Sequence, residues 1–143
     1  MGYDVYILKH PYQPMTDEED ENASWDEAVE HFRRQKVHLA QKHYITGGTF
    51  AVGGTDDPWL HVTFNYAKDF CKFLGGNGIN DFHDRPVRET LPKLIEAVSN
   101  MHGEPDDDYW KPTEGNARAA LMNMIQLACL SPETINGYWY IDK

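Results

Sequence analysis

The chain has 143 residues, enough for one sizeable core. A hydrophobic content of 41% excludes a disordered acidic tail. With 13 Lys and Arg against 23 Asp and Glu, the net charge of -10 leaves no basic surplus to displace counterions from nucleic acid, which argues against that partner.

Tyr3 to Leu8 alternates Tyr3, Val5 and Ile7 with Asp4, Tyr6 and Leu8, the period of a strand. A strand so early is not a signal peptide, and no apolar run reaches membrane-span length, so a cytoplasmic protein is expected. Pro11 and Pro14 break the chain. The acidic run from Thr16 to Asn22 lacks the spaced ligands and glycine of a calcium loop and reads as a solvated loop. Ser24 with Glu27 forms a capping box, which starts a helix from Trp25 to about Gln41. Its apolar stripe is Trp25, Ala28, Val29, Phe32, Leu39 and Ala40, with Glu30 and Arg34 paired outside. His31 and His38 on its polar flank do not by themselves make a metal site.

Gly47-Gly48-Thr49 and Gly53-Gly54-Thr55 flank Phe50-Ala51-Val52. Without a P-loop lysine they read as a short strand between glycines, followed by a turn at Thr55-Asp56-Asp57-Pro58. Trp59 to Tyr66 is a second strand. Leu60, Val62, Phe64 and Tyr66 face the core, and Trp59, His61, Thr63 and Asn65 face solvent or a groove. Residues 67–74 form a short helix stopped by Gly75-Gly76, which Asn65 is placed to cap. Residues 77–84 are a loop. A helix follows over about 86–101 with stripe Val87, Leu91, Leu94, Ile95 and Val98; Pro92 splits off its first turn, and Thr90 caps the rest. Thr113 caps the last long helix, whose stripe is Ala117, Ala120, Leu121, Met124 and Ala128. Asn136-Gly137 signals a hairpin before a final strand, Tyr138-Trp139-Tyr140-Ile141, which joins the sheet or pairs with a second copy in a homo-oligomer. Cys71 and Cys129 fall in apolar helical patterns and read as buried, inert thiols.

This order of elements predicts a single α+β domain over residues 1–143, a small antiparallel or mixed sheet packed against about four helices. The nucleophile-elbow, zinc-protease, paired-cysteine and kinase signatures are missing, and no cofactor or metal is called for. The densest concentration of binding-type groups is the run from Asp106 to Ala117. Tyr109 and Trp110 offer flat ring faces; Thr113, Glu114 and Asn116 offer a hydroxyl, a carboxylate and an amide at a helix start; Asn65 and Tyr66 complete the candidate ligand pocket. Asp106, Asp107 and Asp108 are adjacent and cannot all face one ion.

In these segments the chain resembles a family of small bacterial and phage proteins. The shared features are the Gly-Gly-Thr repeats of Gly47 to Thr55, the Thr63-Phe64-Asn65-Tyr66 strand, and Tyr109-Trp110-Lys111-Pro112-Thr113-Glu114-Gly115-Asn116-Ala117. The resemblance spans about residues 44–130, with Phe64 where the family pattern has Tyr. It implies a shared ordered site and no reaction, and a phage setting would point to a host-defence antagonist.

The expected function is a non-enzymatic binding protein. It holds a small molecule, or a side chain of a basic protein surface, in an aromatic and polar pocket, as a sequestering or inhibitory factor. Two alternatives are a small hydrolase or transferase using Glu114 or Asp108 with His61, and an acidic interaction module or charge-mimic inhibitor.

Overall fold

A computed structural model of the chain describes residues 2–41, 50–51 and 58–143. Strands β1 (Gly2–Leu8), β2 (Phe50–Ala51), β3 (Trp59–Thr63) and β4 (Tyr138–Asp142) form one antiparallel sheet in the order β2-β3-β1-β4. The helices are α1 (Asp17–Asn22), α2 (Trp25–Arg33), α3 (Ala67–Leu74), α4 (Val87–Asn100), α5 (Glu114–Ala128) and α6 (Pro132–Ile135), and the fold is α+β. Four of these, α2 to α5, are at least eight residues long. Both Gly-Gly-Thr segments, and residues 55–57 of the expected turn, lie outside the described residues.

The strand period of two decides which face of the sheet is core. Tyr3, Val5 and Ile7 of β1, Leu60 and Val62 of β3, and Trp139 and Ile141 of β4 all point inward and are buried in one hydrophobic cluster with α3, α4 and α5. Asp4, Tyr6, Trp59, His61 and Tyr140 consequently face outward. β4 adds to the sheet rather than offering its free edge to a second copy. Its outer edge is occupied by residues 83–87: Asp84 N donates to Trp139 O, Trp139 N to Arg85 O, Val87 N to Gly137 O, and Ile141 N to His83 Nδ1. Asn136-Gly137 makes no hairpin. It links α6 to β4, and a β-carbon on Gly137 would lie 2.5 Å from Ile7 Cγ2 and 2.8 Å from Leu8 O.

Several expectations are corrected by particular contacts. The Thr16–Asn22 run is helical although fully solvated. Glu19 N donates to Thr16 Oγ1 while Thr16 N donates to Glu19 Oε1, and four acids sit where the helix dipole favours them. The Thr16 bonds hold the Glu19 carboxyl below its ordinary range. α2 stops at Arg33, well short of Gln41. The chain there turns to pair with β1: Val37 N donates to Ile7 O and Lys9 N to Gln35 O. Leu39 and Ala40 therefore leave the stripe, and no residue of α2 is buried. β3 ends at Thr63, whose hydroxyl accepts from Asn65 N, so residues 64–66 form a 3-10 turn. Thr63 is buried rather than groove-facing.

α4 is continuous through Pro92. Its buried line is Val87, Thr90, Leu94, Ala97 and the following Met101, while Ile95 is 54% exposed. The expected stripe is thus rotated. Thr90 caps nothing: its hydroxyl donates to Val87 O and accepts from the indole Nε1 of the fully buried Trp139 at 2.7 Å. The cysteines are exposed, not buried. Phe70 and Leu74 take the inward positions of α3, leaving Cys71 outside, and Cys129 lies just past the last buried residue of α5. The α5 stripe holds as expected, with Ala117, Ala120, Leu121, Met124 and Ala128 all buried.

A buried indole N–H without an acceptor costs about 1–3 kcal/mol. Thr90→Val keeps the shape of the side chain and removes the acceptor. It should lower stability in urea unfolding by about 2 kcal/mol, and an unchanged midpoint would show that this hydrogen bond does not lock α4 to β4.

Candidate functional site

The structure brings all seven sequence-predicted ligand residues together, but the polar side-chain atoms of Asn65, Tyr66, Thr113, Glu114 and Asn116 bond to the chain's own backbone. Tyr66, fully buried, donates its hydroxyl to Tyr109 O, and Asn65 Nδ2 donates to Trp110 O at 2.6 Å. Asn65 therefore does not cap α3. Thr113 Oγ1 accepts from Asn116 N as the cap of α5. Glu114 Oε2 accepts from His102 N at 2.6 Å. Asn116 is 1% exposed. Its Oδ1 accepts from Asp106 N, and its Nδ2 donates to Asp108 O and Lys111 O. Gly115 completes the arrangement: a β-carbon there would sit 2.1 Å from Glu104 O. The Thr-Glu-Gly-Asn-Ala run thus clasps loop 102–113 against the head of α5. What this clasp presents outward is the ring pair of Tyr109 and Trp110, with centroids 5.2 Å apart and Trp110 38% exposed.

A second site lies on the outward face of the sheet. The cross-strand neighbours Tyr6, Trp59 and Tyr140 are joined there by Phe32 of α2 and by Tyr12. Tyr6 stacks on Trp59 at 5.9 Å and meets Phe32 edge-on at 5.2 Å; Tyr140 lies 4.9 Å from Phe32 and 5.1 Å from Tyr12. Between this floor and α2 opens a cleft of about 500 Å³. Trp25, 81% exposed, and Val29, 47% exposed, form its outer wall. Lys36 places its ammonium 5.1 Å from the Tyr6 ring and 5.3 Å from the Phe32 ring. Arg33 and Asp142 also line the cleft. Burial, then Asp142, Tyr12 and Asp84, push the Tyr140 phenol up, so it stays a neutral hydroxyl.

Loop 11–14, which carries Tyr12, is held by the buried side chain of Gln35. Gln13 N donates to its Oε1 and its Nε2 donates back to Gln13 O. His31 Nε2 donates to the same carbonyl, and His38 Nε2 contacts Arg33 O. No group of metal-ligating side chains occurs among the described residues. Sequence reasoning placed Trp25 and Phe32 on one apolar stripe and did not single them out as site residues. The signal for the cleft was the outward half of the strand alternation, but which strands lie side by side is not written in it.

His61 does find a carboxylate, but that partner is Asp4, opposite it on β1, and not Glu114 or Asp108. His61 Nδ1 lies 2.8 Å from Asp4 Oδ1, which also accepts from Trp59 Nε1 at 3.4 Å. His61 stands on the outward face, whereas α5 packs on the inward one and Glu114 is engaged by His102. The expected His61–Glu114 pairing is overturned by this placement.

No family model, no curated protein and no solved structure matches the chain. No helix among the described residues is long and apolar enough to cross a membrane.

Asn116→Ala strands three backbone groups of the loop. It should cost about 3 kcal/mol in urea unfolding and raise amide exchange in residues 102–113, while exchange unchanged there would show that the loop is held otherwise. Burial, and then Asp108 and Tyr109, push the Tyr66 phenol up to about 12. The folded phenol stays protonated while the unfolded one ionises near the ordinary tyrosine value of 10.0. Its contribution is therefore whole below pH 10 and is lost as pH rises towards about 12. Tyr66→Phe should be less stable at neutral pH by about 1 kcal/mol and lose less stability over that alkaline range than the parent, as read by unfolding at stepped pH.

Proposed function

We propose that this chain is a non-enzymatic binding protein that recognises its ligand through the aromatic cleft between α2 and the outward face of the sheet. The observation that carries this reading is the combination of an open cleft of about 500 Å³ with a wall, Trp25, left 81% exposed. Clefts of roughly 300–1,000 Å³ accommodate small molecules or inserted side chains. Solvated tryptophan at the edge of a tyrosine and phenylalanine floor retains its full capacity for stacking. The ligand is a small molecule or a partner's side chain, and the protein acts by sequestering or inhibiting what it holds. The reading assigns no reaction. The polar groups around Tyr109 and Trp110 support the loop, so the cleft replaces that cluster as the primary site.

A thermal-shift screen of nucleotides, sugars and amino-acid derivatives tests this. A ligand at about 100 times its Kd stabilises by roughly 2.7 kcal/mol, enough for a midpoint shift of several degrees. Trp25→Ala should abolish the shift and leave the ligand-free midpoint within about 1 °C, because an exposed side chain contributes little to folding. A shift that survives Trp25→Ala would remove the cleft from the binding site.

A further inference from the structure

The cleft has a charged surrounding that selects among occupants. Residues 16–41 carry eight acids, Asp17, Glu18, Glu19, Asp20, Glu21, Asp26, Glu27 and Glu30, against Arg33, Arg34 and Lys36. These acids lie along α1 and α2, neither of which buries any residue. On the flank of α2 opposite the aromatic cleft is a groove of about 350 Å³ lined by Glu19, Asp26, Glu27 and Glu30 together with Met15, His31 and Arg34. Glu30 offsets part of the charge of the two arginines, accepting from Arg33 Nε at 2.9 Å and Arg34 Nε at 3.4 Å. The Arg33 bond holds the Glu30 carboxyl below its ordinary range. The aromatic floor itself takes a cation, since Lys36 lies over two of its rings. Trp25 makes no ring contact among the described residues, and it stands at the mouth of the cleft beside the acidic helix ends.

We infer that the occupant of the cleft is a basic segment of a protein partner. It lays an arginine or lysine side chain over Trp25, Tyr12 and Tyr140 and sets its other cations along α1 and the acidic flank of α2. This rests on the cleft being the binding site. A guanidinium over an indole face is attracted by the negative face of the ring. The surrounding acids add attraction that salt screens over about 10 Å at 0.1 M. A neutral planar ligand would gain the stacking alone and leave the acidic surround without a role. A second copy of this chain, itself at -10, would be repelled.

The test uses the full chain and two capped octapeptides, one of alternating arginine and alanine, the other with citrulline in place of arginine. Citrulline keeps the planar shape and removes the charge. Affinity is measured by isothermal titration calorimetry, and in the parent chain the indole N–H resonance of Trp25 shows where the peptide sits. The arginine peptide should shift that resonance and bind about tenfold more tightly than the citrulline peptide. Its affinity should fall about tenfold in Trp25→Ala. It should fall severalfold in the triple variant Glu18→Gln, Glu21→Gln, Asp26→Asn, and again between about 0.05 and about 0.5 M salt. Equal binding of the two peptides, arginine-peptide binding unchanged in Trp25→Ala, or no binding of either peptide overturns the inference. If the peptides fail while a neutral aromatic compound from the thermal-shift screen moves the Trp25 resonance, the cleft stands as a binding site and only the basic partner falls. If nothing moves it, both readings fall together.

Discussion

The indole of Trp139 is where the sheet and the helical layer are locked to one another. Its ring is fully buried, so its N–H must find an acceptor inside the protein, and it finds the hydroxyl of Thr90. That hydroxyl donates in turn to Val87 O. The bond sets the rotation of α4 about its axis, turning Thr90 inward and leaving Ile95 outside. It also commits the inward face of β4. With Trp139 and Ile141 inward, Tyr140 has to face outward, where it meets Phe32 and Tyr12. The aromatic floor of the cleft is thus the reverse side of the core contact. The cover on the β4 edge by residues 83–87, including the bond from Ile141 N to His83 Nδ1, keeps the strand in the register that makes this possible.

The head of α5 shows how a cluster of polar and aromatic residues can carry architecture instead of recognition. Helix N-termini leave backbone donors free, and a loop that doubles back over one has free donors and acceptors of its own. Asn116 answers three of these at once, Glu114 a fourth, and Gly115 allows the two backbones to approach. Tyr66 and Asn65 tie the far end of the loop to the end of β3. A sequence run dense in binding-type side chains is in this protein a device for shaping a loop of twelve residues, 102–113, with little regular structure of its own.

The binding reading rests on a different economy. The outward face of the sheet carries an aromatic cluster beside the polar pair Asp4 and His61. Its aromatic rings bury one another's edges, and α2 stands beside them with its stripe half-buried at Ala28 and Phe32 and exposed at Trp25 and Val29. Contiguous exposed apolar patches rimmed by polar residues are a mark of interaction surfaces. The acids of α1 and α2 give the surroundings of the cleft a negative potential.

Features that depend on a few adjacent residues were legible in the sequence. The Ser24 and Thr113 caps, the Gly75 stop after α3, the stripe of α5 and the alternation of β1 all come from contacts within four residues along the chain, and a linear reading contains everything those contacts need. The α1 capping box of Thr16 and Glu19 is equally local and was legible in principle, though obscured by the acidic run around it. What tertiary structure alone decided is which face of each element has something opposite it. The stripe of α2 is only half-buried because it meets the outward face of the sheet at Phe32 and leaves Trp25 and Val29 in solvent, α4 is rotated because Trp139 stands against Thr90, and Cys71 is exposed because Phe70 and Leu74 hold the inward line. Asp4 pairs with His61 and Asn65 with Trp110 across 57 and 45 residues. Burial and long-range pairing are properties of two surfaces meeting, and a single strand of sequence records only one of them.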